Sequence, residues 1–330
     1  MYHYLRSKIL SGSDFDFDTV ALELFQFQAF NNPVYSRYLE ILGIGVGDVH
    51  TLLQIPCLPI EVFKYREVKT GVWPTQVIFK SSGTTLDTFA RHHVRDQDLY
   101  HTLAIETFES RFFPLKDVCI LALLPHYLEA GDSSLVSMVS AFQARAQHPD
   151  SGFFLDDFDA LASKLEKQNG KSEKTILFGV TYALLDFAMQ FGLSLSPNIM
   201  VIETGGMKGR KEDMDRSALH EHLKKAFNIN QIYSEYGMTE LFSQAYAGID
   251  GTFSPGRTMH VWIRELNDPF AFVPQGKVGA INVIDLANID SCAFIATADL
   301  GRSGEGSTFE VLGRMDHADL RGCQLRYLEK

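Results

Sequence analysis

The sequence predicts an α/β fold, with parallel sheet flanked by helices and a smaller β-rich subdomain after it. Three observations predict this. Up to about residue 250, apolar runs of strand length alternate with segments of helical spacing. Several of those runs end in short turns of Gly, Ser and Thr. Beyond residue 250 the pattern changes to short strands joined by Gly and Pro turns.

The elements follow in order. Residues 19–42 carry apolar positions three and four apart and are broken at Asn32-Pro33, so two helices are expected. The proline-punctuated IPCLPIEVFKYREV should be extended and lie on the surface. VCILALLP (118–125) is a buried strand, and SSLVSMVSAFQARA is a helix capped by Asp132 or Ser133. TILFGV (175–180) is a strand leading into the helix TYALLDFAMQFGL. IMVIET (199–204) is a strand ending at Gly205-Gly206, and EDMDRSALHEHLKKAF is an amphipathic helix. INQIYSEYG (229–237) is a strand running into a turn. MHVWIRELN, GAINVIDL, CAFIATADLG and TFEVLGRMD should be antiparallel strands. We therefore divide the chain into an α/β region (1–250) and a β-rich subdomain (251–330).

The 330 residues carry 45% hydrophobic and 22% charged side chains, enough for a packed core. The formal charge of −11 and the lack of a basic block argue against nucleic acid as a partner. The first residues, MYHYLRSKILSGSDFDFD, lack the pattern of a signal peptide, and no apolar run is long enough to span a bilayer. Cys57, Cys119, Cys292 and Cys323 are scattered, which fits free thiols in a cytoplasmic protein without membrane insertion. His92-His93, His101 and LHEHLKK lack metal-ligand spacing, and Asp156, Asp157 and Asp159 form a solvated acidic loop.

Four stretches carry candidate chemistry. In Ser81-Ser82-Gly83-Thr84-Thr85, hydroxyls and backbone N–H groups in a glycine-permitted turn can surround phosphate oxygens. Alone, this reads better as a polar loop, and no G-K-[ST] makes it a P-loop. Glu203-Thr204-Gly205-Gly206 would let a flat ring approach the backbone, although a tight turn before a helix is equally good. Tyr236-Gly237-Met238-Thr239-Glu240 combines an aromatic ring, a hydroxyl and a carboxylate suited to a base, a phosphoryl oxygen and Mg²⁺. Last come Asp299 in TADLG, where a carboxylate after a strand suits ribose hydroxyls, and Arg314 with Asp316 in GRMD. Singly, Asp299 and Arg314 fit turns or a surface ion pair.

Their order, SSGTT, GG, YGMTE, TADLG, GRMD, resembles the adenylate-forming superfamily, which makes acyl-AMP from a carboxylate and MgATP. PIEVFK, TGGMKGR, YGMTELFSQAY and GRMDHADLRGC narrow the resemblance to the acyl-protein synthetases, the long-chain-fatty-acid–luciferin-component ligases of bacterial bioluminescence. The resemblance implies the N-terminal domain fold of those enzymes. It implies that Ser81 to Thr85 hold the β- and γ-phosphates of ATP. Gly205, Gly206 and Tyr236 would frame the adenine, Thr239 would approach the α-phosphate, and Glu240 would bind Mg²⁺. Asp299 and Arg314 would hold the ribose, and His126 in LLPHYLEAG would line the acyl entrance. Cys323, between Arg321 and Arg326, matches by location a cysteine that carries the acyl group, and nearby cations favour a thiolate. A small buried residue in a final strand is the bland alternative for Cys323. A carboxylic, fatty acid is the implied substrate, and an acyl-carrier, reductase or transferase protein the implied partner.

The sequence departs from the superfamily pattern at three places. Leu86-Asp87-Thr88-Phe89 replaces the usual G-x-P-K after SSGTT, and Ala298 stands where glycine is common. The sequence stops just past GRMD, without the usual mobile C-terminal domain and its lysine; Lys208 and Arg210 are the nearer substitutes. Slow or partner-dependent adenylation is therefore expected. A second reading is an acyl shuttle that receives groups already activated elsewhere, which pyrophosphate release would distinguish.

Overall fold

The computed structural model describes residues 1–12, 15–81, 89–124, 132–205, 216–248 and 250–315. Three helices open the chain: α1 (Tyr2–Leu10), α2 (Phe17–Asn31) and α3 (Pro33–Leu42). The expected break is real, and Asn32 makes it. Its side-chain oxygen accepts the N–H groups of Val34 and Tyr35, each at 3.1 Å, while Pro33 opens the next helix.

The proline-rich segment that follows departs from expectation. Rather than lying extended on the surface, it is built into the core. It forms β1 (Leu58–Pro59), parallel to Ile295 and Ala296, and the single turn α4 (Val62–Tyr65). Leu58, Val62 and Phe63 are buried. The prolines punctuate the segment, but its apolar residues decide where it goes.

A separate antiparallel hairpin comes next, β2 (Val77–Lys80) with β3 (Arg91–Val94). Then α5 (Gln97–Arg111) begins at Asp96, whose carboxylate accepts the N–H groups of Asp98 and Leu99. The alternation continues through β4 (Cys119–Leu123), α6 (Ser134–Ala146), β5 (Gly152–Phe153), α7 (Phe158–Gln168), β6 (Thr175–Val180), α8 (Thr181–Phe191), β7 (Ile199–Thr204), α9 (Arg216–Phe227) and β8 (Tyr233–Tyr236). Of the two candidate caps for α6, Ser133 accepts the helix N–H, from Val136 at 3.4 Å. The acidic 156–159 stretch is no mere loop, since the Asp157 carboxylate caps α7 through the Ala160 N–H. The remaining strands are β9 (Ala245–Ala247), β10 (Phe253–Pro255), β11 (Met259–Arg264), β12 (Val278–Asp285), β13 (Phe294–Ser303) and β14 (Phe309–Arg314).

One sheet runs β11-β12-β13-β14-β10-β9-β8-β7-β6-β4-β5, with β1 on β13. Strands β5, β4, β6, β7 and β8 are parallel, as expected from the alternating pattern. From β9 onward the neighbours in this order are antiparallel, also as expected. A division of the chain near residue 250 stands as a proposal; it coincides with this change of strand direction. The core between sheet and helices is aromatic, with Phe108 packed against Phe112, Phe142 and Tyr246. Among the described residues no helix is long and apolar enough to cross a membrane.

Candidate active site

The parallel strands put their carboxyl ends on one edge of the sheet, where open α/β folds bind ligands. At the end of β7, Glu203 is buried and surrounded by donors. Thr181 Oγ1 donates to it at 2.7 Å and Ser234 Oγ at 2.6 Å; Arg216 and His220 lie 3.3 and 3.5 Å away. Burial alone would raise this carboxyl, but His220, Arg216 and the two hydroxyls hold it below the usual range. Gly205 follows with φ of 73°, a left-handed conformation that favours glycine, and its carbonyl accepts from Thr181 at 3.0 Å.

Tyr236 ends β8, edge-on to Phe253 and Phe309. Its hydroxyl donates to Asp299 Oδ2 at 2.9 Å, and Arg314 Nε sits 3.3 Å from Asp299 Oδ1. Asp299 lies inside β13 rather than after a strand, directly across from Arg314 in β14. The pair is held by strand register, so the sequence pattern mistook its local setting while finding both residues. Burial raises the Asp299 carboxyl, with Arg314 opposing.

Thr239 and Glu240 form the turn after β8. The Thr239 carbonyl accepts from His92 Nδ1 at 2.8 Å, and the Glu240 carbonyl from Asn288 Nδ2 at 2.8 Å. Asp285 accepts the N–H groups of Phe242 and Ser243 at 2.7 and 3.0 Å. Glu240 is itself buried, and burial pushes its carboxyl up to about 7 despite Arg314 and Lys64. Among the described residues no cation lies within ion-pair distance of it, and no cluster of three metal-ligating side chains exists. Such a buried carboxylate fits Mg²⁺, which commonly takes one or two carboxylates and completes its shell with phosphates and water.

Of the other expected residues, Ser81 follows β2, its hydroxyl accepting the Ala90 N–H at 3.0 Å. Ser82, Gly83, Thr84, Thr85, His126, Gly206 and Cys323 lie outside the described residues, as do Lys208 and Arg210. Thus the structure brings together Tyr236, Asp299 and Arg314. It sets Thr239 and Glu240 on the turn that β8 leads into and Gly205 at the end of the neighbouring β7. The sequence reading missed Glu203 as a charged anchor, Glu235, His92, Asp285 and Asn288. His92 had a usable signal: Ala90, His92 and Val94 alternate with exposed or half-exposed neighbours, marking one inner face.

Glu235 makes a testable consequence. Burial pushes it up to about 7, opposed by the Thr204 hydroxyl that donates to it and reinforced by nearby Glu203. For Glu235 and Glu240 the folded-state value exceeds the ordinary 4.5. Their stabilising contribution is therefore complete below the unfolded value and lost as pH rises through about 7, each on the order of 1–3 kcal/mol. Glu235→Gln should flatten that decline. Denaturant midpoints at about pH 5 and about pH 8 should differ less than in the parent. An unchanged difference would show that Glu235 is ionised throughout.

The strand order gives the chain a fold found in solved ligase structures. The fold is shared with 2-hydroxyisobutyryl-CoA ligase in complex with 2-HIB-AMP and CoA, at TM-score 0.64 and 14% identity, over 91% of this chain and 70% of that one. It is also shared with ATP-bound MatB from Rhodopseudomonas palustris, at TM-score 0.51 and 19% identity over 76% of this chain. The chain spans about half of MatB, 49% of its length. The family model for acyl-protein synthetase, LuxE, matches residues 44–330, and the chain belongs to that family. It is 25% identical to a long-chain-fatty-acid–luciferin-component ligase of Aliivibrio fischeri, over 93% of this chain and 86% of that protein. By family, then, the protein is an acyl-protein synthetase.

Proposed function

We propose that this protein joins a fatty acid to AMP at the expense of MgATP, then transfers the acyl group to Cys323 or to a thiol on a partner protein. In the first step a carboxylate oxygen attacks the α-phosphorus. The bond from that phosphorus to the bridging oxygen breaks, and pyrophosphate leaves. In the second step a thiolate attacks the acyl carbon, the carbon–oxygen bond to AMP breaks, and the thiol proton passes to solvent. The observation that carries this reading is the convergence of Tyr236, Asp299 and Arg314 within hydrogen-bond and ion-pair reach, beside the turn that bears Glu240.

Asp299 offers a carboxylate to ribose hydroxyls, and Arg314 adds positive charge there. Thr239 presents a hydroxyl toward the α-phosphate. Bound Mg²⁺ would supply charge neutralisation at the phosphates, and Glu240 would hold it. Ser81 to Thr85 would receive the β- and γ-phosphates. The described cysteines are poor acceptors. Burial pushes Cys57 up to about 12 and Cys119 up to about 11, and it raises Cys292 as well. That leaves Cys323 or an external carrier. We place the protein in the cytoplasm, where free thiols persist. The test is pyrophosphate release with MgATP across a panel of carboxylic acids. Release that depends on fatty acid is expected. Its absence, with nucleotide binding intact, would favour the acyl shuttle.

A further inference from the structure

His92 is buried, neutral, and used by none of the steps above. It projects from β3, one strand of the hairpin whose loop starts at Ser81, and its Nδ1–H donates to the Thr239 carbonyl at 2.8 Å. A carbonyl only accepts, so the ring must be the Nδ1–H tautomer. Burial pushes the imidazole down to about 4, which keeps it neutral. Packing fixes its orientation, with the Phe242 ring 4.7 Å away at 36° and the Phe63 ring edge-on at 5.9 Å. The hairpin is not part of the main sheet. The bond therefore spans two separate backbone units, one leading to Ser81 and the other bearing Thr239 and Glu240. Asn288 and Asp285 hold the same turn as well, through the Glu240 carbonyl and the Phe242 and Ser243 N–H groups.

We propose that His92 is a positioning residue that sets the register between the hairpin ending at Ser81 and the Thr239–Glu240 turn, so that the groups facing the phosphates and the metal are presented together. The proposal rests on the ATP reading of this site. It explains why a polar donor occupies a position whose neighbours on the same face, Ala90 and Val94, are apolar.

Three variants separate positioning from simple packing. His92→Asn keeps an amide N–H near the Nδ1 position. His92→Gln carries its amide nearer the Nε2 position, and His92→Leu has no donor. In pyrophosphate exchange, the Leu and Gln variants should lose roughly 10- to 100-fold in kcat/KM for MgATP, because a small misplacement of reacting groups is costly. His92→Asn should recover most of that. Equal activity of Asn and Gln overturns the proposal, as does a Leu variant that matches the parent. Should Leu fail to fold, the Asn–Gln comparison decides. A nucleotide-independent readout keeps this apart from the ligase reading. Imidazole ¹⁵N spectra of the parent should show His92 as one Nδ1–H tautomer from about pH 5 to about pH 8. An Nε2–H or protonated ring there overturns the proposal even in an active enzyme, whereas the expected tautomer in a chain without exchange faults only the ATP reading.

Discussion

Glu240→Gln is expected to lose roughly 100-fold or more of pyrophosphate release while keeping its fold, since the amide preserves shape but removes the charge a hard cation needs. The buried position sharpens the expectation. In the parent, burial holds the carboxyl near its protonated form at about 7, so a cation entering the site must displace a proton. Apparent Mg²⁺ affinity in the parent should therefore rise with pH through about 7, and this dependence should vanish in the Gln variant. Equal turnover of variant and parent across a Mg²⁺ titration would remove Glu240 from the metal.

Cys323→Ser should abolish acyl-enzyme while leaving acyl-AMP formation intact, because activation and transfer use different groups. With MgATP and a fatty acid, mass spectrometry of the C-terminal peptide should show an acyl mass that neutral hydroxylamine removes, as a thioester requires. The three described cysteines compete poorly, since burial keeps each of them protonated near neutrality. A label on Cys57, Cys119 or Cys292 would overturn the assignment to Cys323 and keep the ligase. Acyl-AMP with no labelled cysteine would make the acceptor a separate carrier.

Much of this architecture was legible in advance. TILFGV and IMVIET match β6 and β7 residue for residue, because a strand buried on both faces is a continuous apolar run. Asn32-Pro33 marked a helix junction through a cap and a fixed φ, which are local effects. Other features depended on distant residues. Leu58 is buried where β13 pairs with it, more than 200 positions later, and Phe63 packs edge-on against His92 of the hairpin. Helix α5 lies outside the expected elements, although Asp96 caps it and its buried residues, Leu99, Tyr100, Leu103, Ala104, Thr107 and Phe108, share one face. In the site, Tyr236, Asp299 and Arg314 were recognisable as residue types in order, and their mutual contacts arise only from register. His92 lacks metal-ligand spacing in the sequence. Its actual partner is a backbone carbonyl, which leaves no trace in sequence.

The β2–β3 hairpin has one more consequence. Its own two strands satisfy each other, and among the described residues two backbone–backbone bonds join it to the rest of the chain, from the flanking Gln76 N–H to the Val94 carbonyl and from Lys80 N–H to the Asp132 carbonyl, each at 2.8 Å. What otherwise seats it is side-chain contact, including Phe79 on Tyr100, His92 on Phe242 and on the Thr239 carbonyl, and Lys80 with Asp132. A unit attached in this way can pivot without breaking a ladder, which no interior strand of the main sheet can do. Part of the intrinsic affinity for nucleotide would then go into selecting the seated orientation, and measured dissociation constants would exceed the intrinsic one by the inverse of the seated fraction.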